Sequence, residues 1–213
     1  EPLPTRPIGS LPVSFWVQLV VGVMAWLISA AVFAVRPAES SARYLLLSGL
    51  ATLTFAPLAA VYSTRELALP AISFQWLNDL NHLGGTLFIA SFIALLLHYP
   101  RRLGPAWTAS AVLLAYLAWY AAQLLGLFES MTFARRFHVM IGVLVTFVLA
   151  AVHWRGTARD PAARAALQWF LLSWMVGTSA FALLILLPQL FGIDTSAVQG
   201  YGFLLFVLVY GGL

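Results

Sequence analysis

An all-α, polytopic membrane bundle is the fold class this sequence predicts, and three observations predict it. Hydrophobic residues make up 62% of the 213 and charged residues only 8%, whereas soluble domains are about one quarter charged. The apolar residues gather in seven runs, each near the ~20 residues a helix needs to cross a hydrocarbon core ~30 Å thick. Backbone groups in lipid must be bonded within their own segment, so runs of this length read as helices.

Residues 1–12, EPLPTRPIGSLP, hold four prolines and one arginine and read as an extended extracytoplasmic lead-in. The spanning segments follow at 13–35, 43–63, 72–98, 105–127, 134–154, 163–190 and 197–213, so residues 13–213 form one seven-helix domain. Breakers mark their ends: Pro37, Pro70, Pro100 and Pro105, Gly126, Pro161 and Gly192. Pro57 and Pro188 fall within the second and sixth segments. Each either kinks its helix and splays the bundle or merely ends a straight one. Ala111, Ala115, Ala118 and Ala122 make a small-residue stripe on the fourth segment, and Gly177, Thr178 and Ser179 a small patch on the sixth, where close helix approach is expected. Several of the tryptophans sit near segment ends, as an aromatic belt requires. The chain begins at Glu1 and stops within an apolar run, so a longer parent protein is expected, and no signal peptide can be read.

Arginine placement sets the expected orientation. The first, third and fifth connections hold Arg36, Arg43, Arg101, Arg102, Arg155, Arg159 and Arg164, seven of the eleven cationic residues. The other side holds Arg6, Arg65, Arg135 and Arg136. The positive-inside rule makes the odd connections cytoplasmic, with the N-terminus outside and the C-terminus inside. In a bacterium this is a multi-pass protein of the inner membrane.

Composition and motifs also narrow the chemistry. The net charge of +4 is all arginine, with no lysine; such charges anchor helix ends and are poor grounds for expecting nucleic acid. With no cysteine, disulfides, thiolate chemistry and cysteine metal sites are excluded. His82 and His138 lie at one membrane level and His98 and His153 at the other, but no two share a helix at ligand spacing, so neither a metal nor a cofactor is expected. Ser173 and Ser179 lack a nucleophile-elbow context and no Gly-rich phosphate loop occurs, so no enzyme active site is expected in this chain. A transporter would show repeated halves and midplane charges; no convincing repeat is found here, and the first, second, fourth and seventh segments have no ionisable interior residue.

The third segment, SFQWLNDLNHLGGTLFIASFIALLLH, is the exception. Intramembrane ionisable groups are costly and so point to function. Gln75, Asn78, Asp79, His82 and Thr86 recur at three- and four-residue steps and share a helical face. Asp79 lies about 27–30 Å from the Arg101–Arg102 anchor at ~1.5 Å per residue, near the outer interface. Three readings stay open: a wetted helix end, a polar pocket opening outside, or an ion relay. For the pocket, Gln75, Asn78, Asp79 and His82 are the candidate ligand contacts. Arg135, Arg136 and His138 on the fifth segment would supply the opposite charge, and Phe74, Trp76, Phe133 and Phe137 the walls.

The stretches AVRPAESSARYLLLSGL, ASFIALLLHYPRRLG, DPAARAALQWFLLSWMVGTSAFALLILLPQLFG and YGFLLFVLVYGGL resemble the multi-helix membrane sensor region of bacterial sensor histidine kinases of the competence-pheromone-receptor type. The likeness lies in a helix ending in an aromatic-Pro-Arg turn, in the Arg164-Ala165-Ala166-Leu167-Gln168-Trp169 helix start, and in a last helix leading to a Gly-containing turn. It implies the input domain of a two-component receptor, binding an apolar or peptide-like signal from outside. It also implies a homodimer through the parent chain and a cytoplasmic kinase beyond this sequence. The alternatives are a small-solute transporter and a structural membrane scaffold.

Overall fold

Apolar runs become helices throughout. The computed structural model describes residues 9, 11–64, 67, 69–157 and 161–211, excepting the side chains of 132, 162, 163, 166, 196 and 197. Most of the lead-in, together with Arg6, Arg65, Glu66 and Arg159, lies outside these residues. Among the described residues the structure is helical with no strand. The order is α1 (Val13–Val35), α2 (Ser40–Ser63), α3 (Ala71–His98), α4 (Thr108–Leu124), α5 (Met131–Gly156) and α6 (Pro161–Phe181). A π-helical turn at Ala182–Leu186 and a last α-turn at Leu187–Leu190 carry α6 on. The seventh rod is broken at Phe203 into α7 (Ser196–Gly202) and α8 (Leu204–Gly211).

Five of these rods are long and apolar enough to cross a membrane: Val13–Val35, Ser40–Ser63, Ala71–His98, Phe133–Gly156 and Leu167–Leu190. That is the architecture of a multi-pass membrane protein. The fourth rod is shorter than the expected 105–127. Pro105 opens a turn whose carbonyl accepts Thr108 N–H and Thr108 Oγ1 at 3.2 and 2.7 Å, and the helix starts only at Thr108. At its other end Gly126 takes φ +69°, and Gly126 N–H and Leu127 N–H bond back to Gln123 and Ala122 carbonyls, each at 3.0 Å. This Schellman closure needs a left-handed residue, which glycine supplies without steric cost. Gly192, φ +75°, ends α6 in the same way. α5 begins earlier than expected because Ser130 Oγ accepts Phe133 N–H at 3.3 Å and caps it.

The two internal prolines behave differently. Pro57 lies inside an unbroken α2 and packs its ring towards Gly22 of α1. Pro188 is preceded by the π-turn. Its missing N–H would have bonded the Leu184 carbonyl, which falls within that turn, and π-bulges commonly absorb such a loss.

α1 packs on α2, α2 on α3, α3 on α4 and α5, α5 on α6, and α6 on α8, which returns to α1. The centre of this ring is α3. Phe88 through Leu96 are all buried, as expected of a helix apolar on every side. Trp174 of α6 stacks on Phe92, centroids 3.8 Å apart and planes 19° apart. At Gly84 an added Cβ would lie 2.8 Å from Phe55 Cβ and 3.0 Å from the Ala51 carbonyl, so the glycine is what lets α2 and α3 touch. The alanine stripe expected to pack on α4 is only half covered: Ala115 and Ala118 are exposed while Ala111 and Ala122 are half-buried, and the buried residues are Ala109 and Gln123. In lipid a small residue is as comfortable outside as inside, so the stripe carried no direction.

Candidate functional site

Where the N-terminal half of α3 meets α2, α5, α6 and the last rod, the ring leaves a cavity of about 310 Å³. That volume is at the lower end of the range for small-ligand pockets. Its floor is aromatic. Phe55 contacts Phe88, Phe203 and Phe206 at centroid distances of 5.6, 5.7 and 5.2 Å, and Phe181 meets Phe206 at 5.4 Å. Its mouth is polar and comes from five helices: Tyr62 of α2, Asn78, Asn81 and His82 of α3, Arg135 and Arg136 of α5, Gln189 after α6, and Gln199 of α7.

The mouth is wired together. Asn81 Nδ2 donates to the Phe55 carbonyl at 2.6 Å, and Tyr62 OH donates to Asn81 Oδ1 at 3.3 Å. Arg136 Nη1 donates to the Gln189 carbonyl at 3.2 Å. Gln189 Nε2 reaches Thr195 Oγ1 at 2.6 Å and Gln199 Oε1 at 3.3 Å. Arg135 Nη2 pairs with Asp79 Oδ1 at 2.6 Å, their side chains 20% and 30% exposed. Tyr120 OH of α4 holds the same turn through the Asp79 carbonyl at 3.0 Å. Half-buried charges of this kind are stable only when paired and hydrogen-bonded.

Of the residues singled out in the sequence, Asn78, His82, Arg135 and Arg136 line the cavity, and Asp79, Gln75 and His138 do not. Asp79 stands behind Arg135 as its counter-charge, which corrects the expectation that Asp79 itself faces the pocket. Gln75 is exposed; it lies in the first turns of α3, before the helix is covered by its neighbours. His138 is buried between α3 and α5, with Nδ1 on the Ala134 carbonyl at 2.9 Å and Nε2 on Thr86 Oγ1 at 3.0 Å. The Ala134 carbonyl also receives Trp119 Nε1 at 3.1 Å and Gln123 Nε2 at 3.4 Å, so this corner locks α4 to α5.

The expected walls are corrected as well. Phe74, Trp76, Phe133 and Phe137 are all exposed. On α5 the cavity face runs through Arg135, Arg136, Val139 and Val143, and Phe133 and Phe137, stacked on each other at 4.8 Å, belong to another face. Sequence reasoning passed over Asn81 and Tyr62. The available signal for Asn81 was its chemistry: an amide inside a spanning helix must find partners.

The other two histidines serve packing. His153 is fully buried and bonds the Leu96 carbonyl of α3 through Nε2, while His98 Nδ1 returns to its own helix at Ala94, 3.0 Å away. Among the described residues no group of three or more His, Cys, Asp or Glu is placed to hold a metal ion. A second hollow, about 730 Å³, lies at the opposite end between α1, α2, α3 and α6. Its walls are mainly apolar, with the exposed Arg36–Glu39 pair at its rim. It lacks the converging polar groups that mark a recognition site.

Comparisons with protein-family models, curated proteins and solved structures return no match.

Proposed function

We propose that this chain is the membrane-embedded input domain of a bacterial signalling receptor, of the sensor-histidine-kinase kind. Its cavity takes an apolar or amphipathic signal from the outer side. The observation that carries the reading is the cavity itself, polar at its mouth and aromatic at its floor, built where five helices converge. Helix ends joined around a hollow by hydrogen bonds of their side chains can repack when it fills. A ligand signals only by favouring one such arrangement over another. The mouth lies at the end carrying fewer arginines, which the positive-inside rule places outside. The last rod, packed on α1 and α6, is the natural conduit to an output domain, and dimerisation through the parent chain would place two such rods side by side.

Two rival readings are a small-solute transporter and a structural scaffold. All three are separated by expressing the parent gene with His82→Ala or Gly85→Phe and reading its signal-dependent output at matched membrane levels. Gly85 lines the cavity and an added Cβ there meets nothing within 4 Å, so phenylalanine at this position projects its ring into the hollow. A receptor loses its response in both variants. Full response in both is the scaffold result, and solute uptake by liposomes holding this chain alone is the transporter result; either contradicts the proposal.

A further inference from the structure

Resting on that reading, the charges around the cavity narrow the ligand. Among the described residues, the only charged ones lining the hollow are Arg135 and Arg136. Asp79 neutralises Arg135 from behind. Two ion pairs form among the described residues, Arg36–Glu39 and Arg135–Asp79, and Arg136 is in neither. Arg136 is half-buried and spends one Nη on a neutral carbonyl. Arg135 Nε is buried without a hydrogen-bond partner. Among the described residues the mouth therefore presents one guanidinium, that of Arg136, outside any ion pair, in a setting where such a charge is costly. Beside it stand the amides of Asn78 and Gln199, whose N–H groups are able to complete the hydrogen bonds of an anion.

Depth sets the tail. Both Arg136 to Val143 on α5 and His82 to Ile89 on α3 run from mouth to floor, about 10 Å at ~1.5 Å per residue. Half of a bilayer core is about 15 Å, so a full-length lipid chain is too long for this hollow.

We infer that the cavity binds a free, singly charged anionic amphiphile with a medium-length tail, its headgroup on Arg136 and its tail on the phenylalanine floor. Guanidinium groups bind carboxylate and phosphate through paired, charge-assisted hydrogen bonds, and this is the one chemistry that both halves of the hollow complement.

The test titrates three probes with the same tail, decanoate, decan-1-ol and decyltrimethylammonium, into the chain held in zwitterionic nanodiscs. The rise in unfolding temperature gives each half-saturating concentration. Decanoate is expected to bind at least about tenfold more tightly than decan-1-ol, the equivalent of one charge-assisted contact, and the cationic probe not to bind. Arg136→Gln should erase the preference for decanoate, Arg136→Lys should keep most of it, and Gly85→Phe should abolish binding of both decanoate and decan-1-ol. Equal binding of acid and alcohol, both lost in Gly85→Phe, overturns the anionic headgroup while leaving the cavity as the signal site. Binding that ignores Gly85→Phe, or no binding at all, overturns both readings. Loss of the decanoate response when the nanodiscs contain phosphatidylglycerol assigns the anion to a lipid headgroup and overturns the free amphiphile.

Discussion

The two halves of α3 are one continuous helix with opposite duties. From Ala71 to Leu83 no residue is buried, and from Phe88 to Leu96 every residue is. The second half is a pillar: Trp174 stacks on Phe92, and His153 bonds the Leu96 carbonyl. The first half carries polar groups to a hollow and holds an ion pair. The contrast teaches how a membrane protein places a site accurately. Side chains on a rigid element keep their positions, and the packed half fixes the axis on which the polar half rides.

The sharpest way to break that contrast is at its seam, where two neighbouring glycines meet different surroundings. Gly84 touches the α2 backbone, and Gly85 faces open space. Gly84→Leu forces the helices apart and should cost about 3 kcal/mol. Gly85→Leu, one residue on, should change stability by less than about 1 kcal/mol, since losing a helical glycine is itself favourable. Titration of the purified protein with a denaturing detergent measures both. Equal effects would mean that the seam does not exist.

A smaller effect is expected at the ion pair. Asp79→Asn leaves Arg135 half-buried and unpaired, and should cost about 1–3 kcal/mol. The double variant Asp79→Asn/Arg135→Gln should recover part of this, as coupled neighbours do. Gln75→Ala, one turn nearer the helix start and exposed, should stay within about ±0.5 kcal/mol. A null effect at Asp79 would return this half of α3 to a wetted helix end.

The helices were legible because crossing length and breakers are written in the sequence: α1 spans Val13–Val35 as read, and Gly126 and Gly192 close the helices they were expected to close. That Asp79 would pair with Arg135 or Arg136 followed from charge level, since a carboxylate at that depth needs a partner; that the partner is Arg135 came from the structure. The walls did not follow. Phe133 and Phe206 are equally apolar, and lipid accepts either, so composition cannot say which one faces the bundle. Ala115 misled for the same reason. In water, apolar periodicity tells inside from outside; in a bilayer polar residues keep more of that information, so the expected residues that do line the cavity, Asn78, His82, Arg135 and Arg136, are polar, while Gln75, Asp79 and His138 do not line it and Phe55 and Phe181 gave no signal. The π-turn before Pro188 was half legible: the proline announced a defect, and the form it took depended on packing.

The central claim is that the polar half of α3 lines a hollow open to the outside, with the arginine-rich connections on the other face. The chain contains no cysteine, so single thiols report without background. Asn78→Cys and Gly104→Cys are expressed in intact cells and exposed to a membrane-impermeant maleimide. The account predicts that Asn78→Cys is labelled at once, that Gly104→Cys is labelled only after permeabilisation, and that Gly85→Phe slows labelling at position 78. Labelling of Gly104→Cys from outside, or an Asn78→Cys thiol that stays unreactive until the cells are opened, would contradict it.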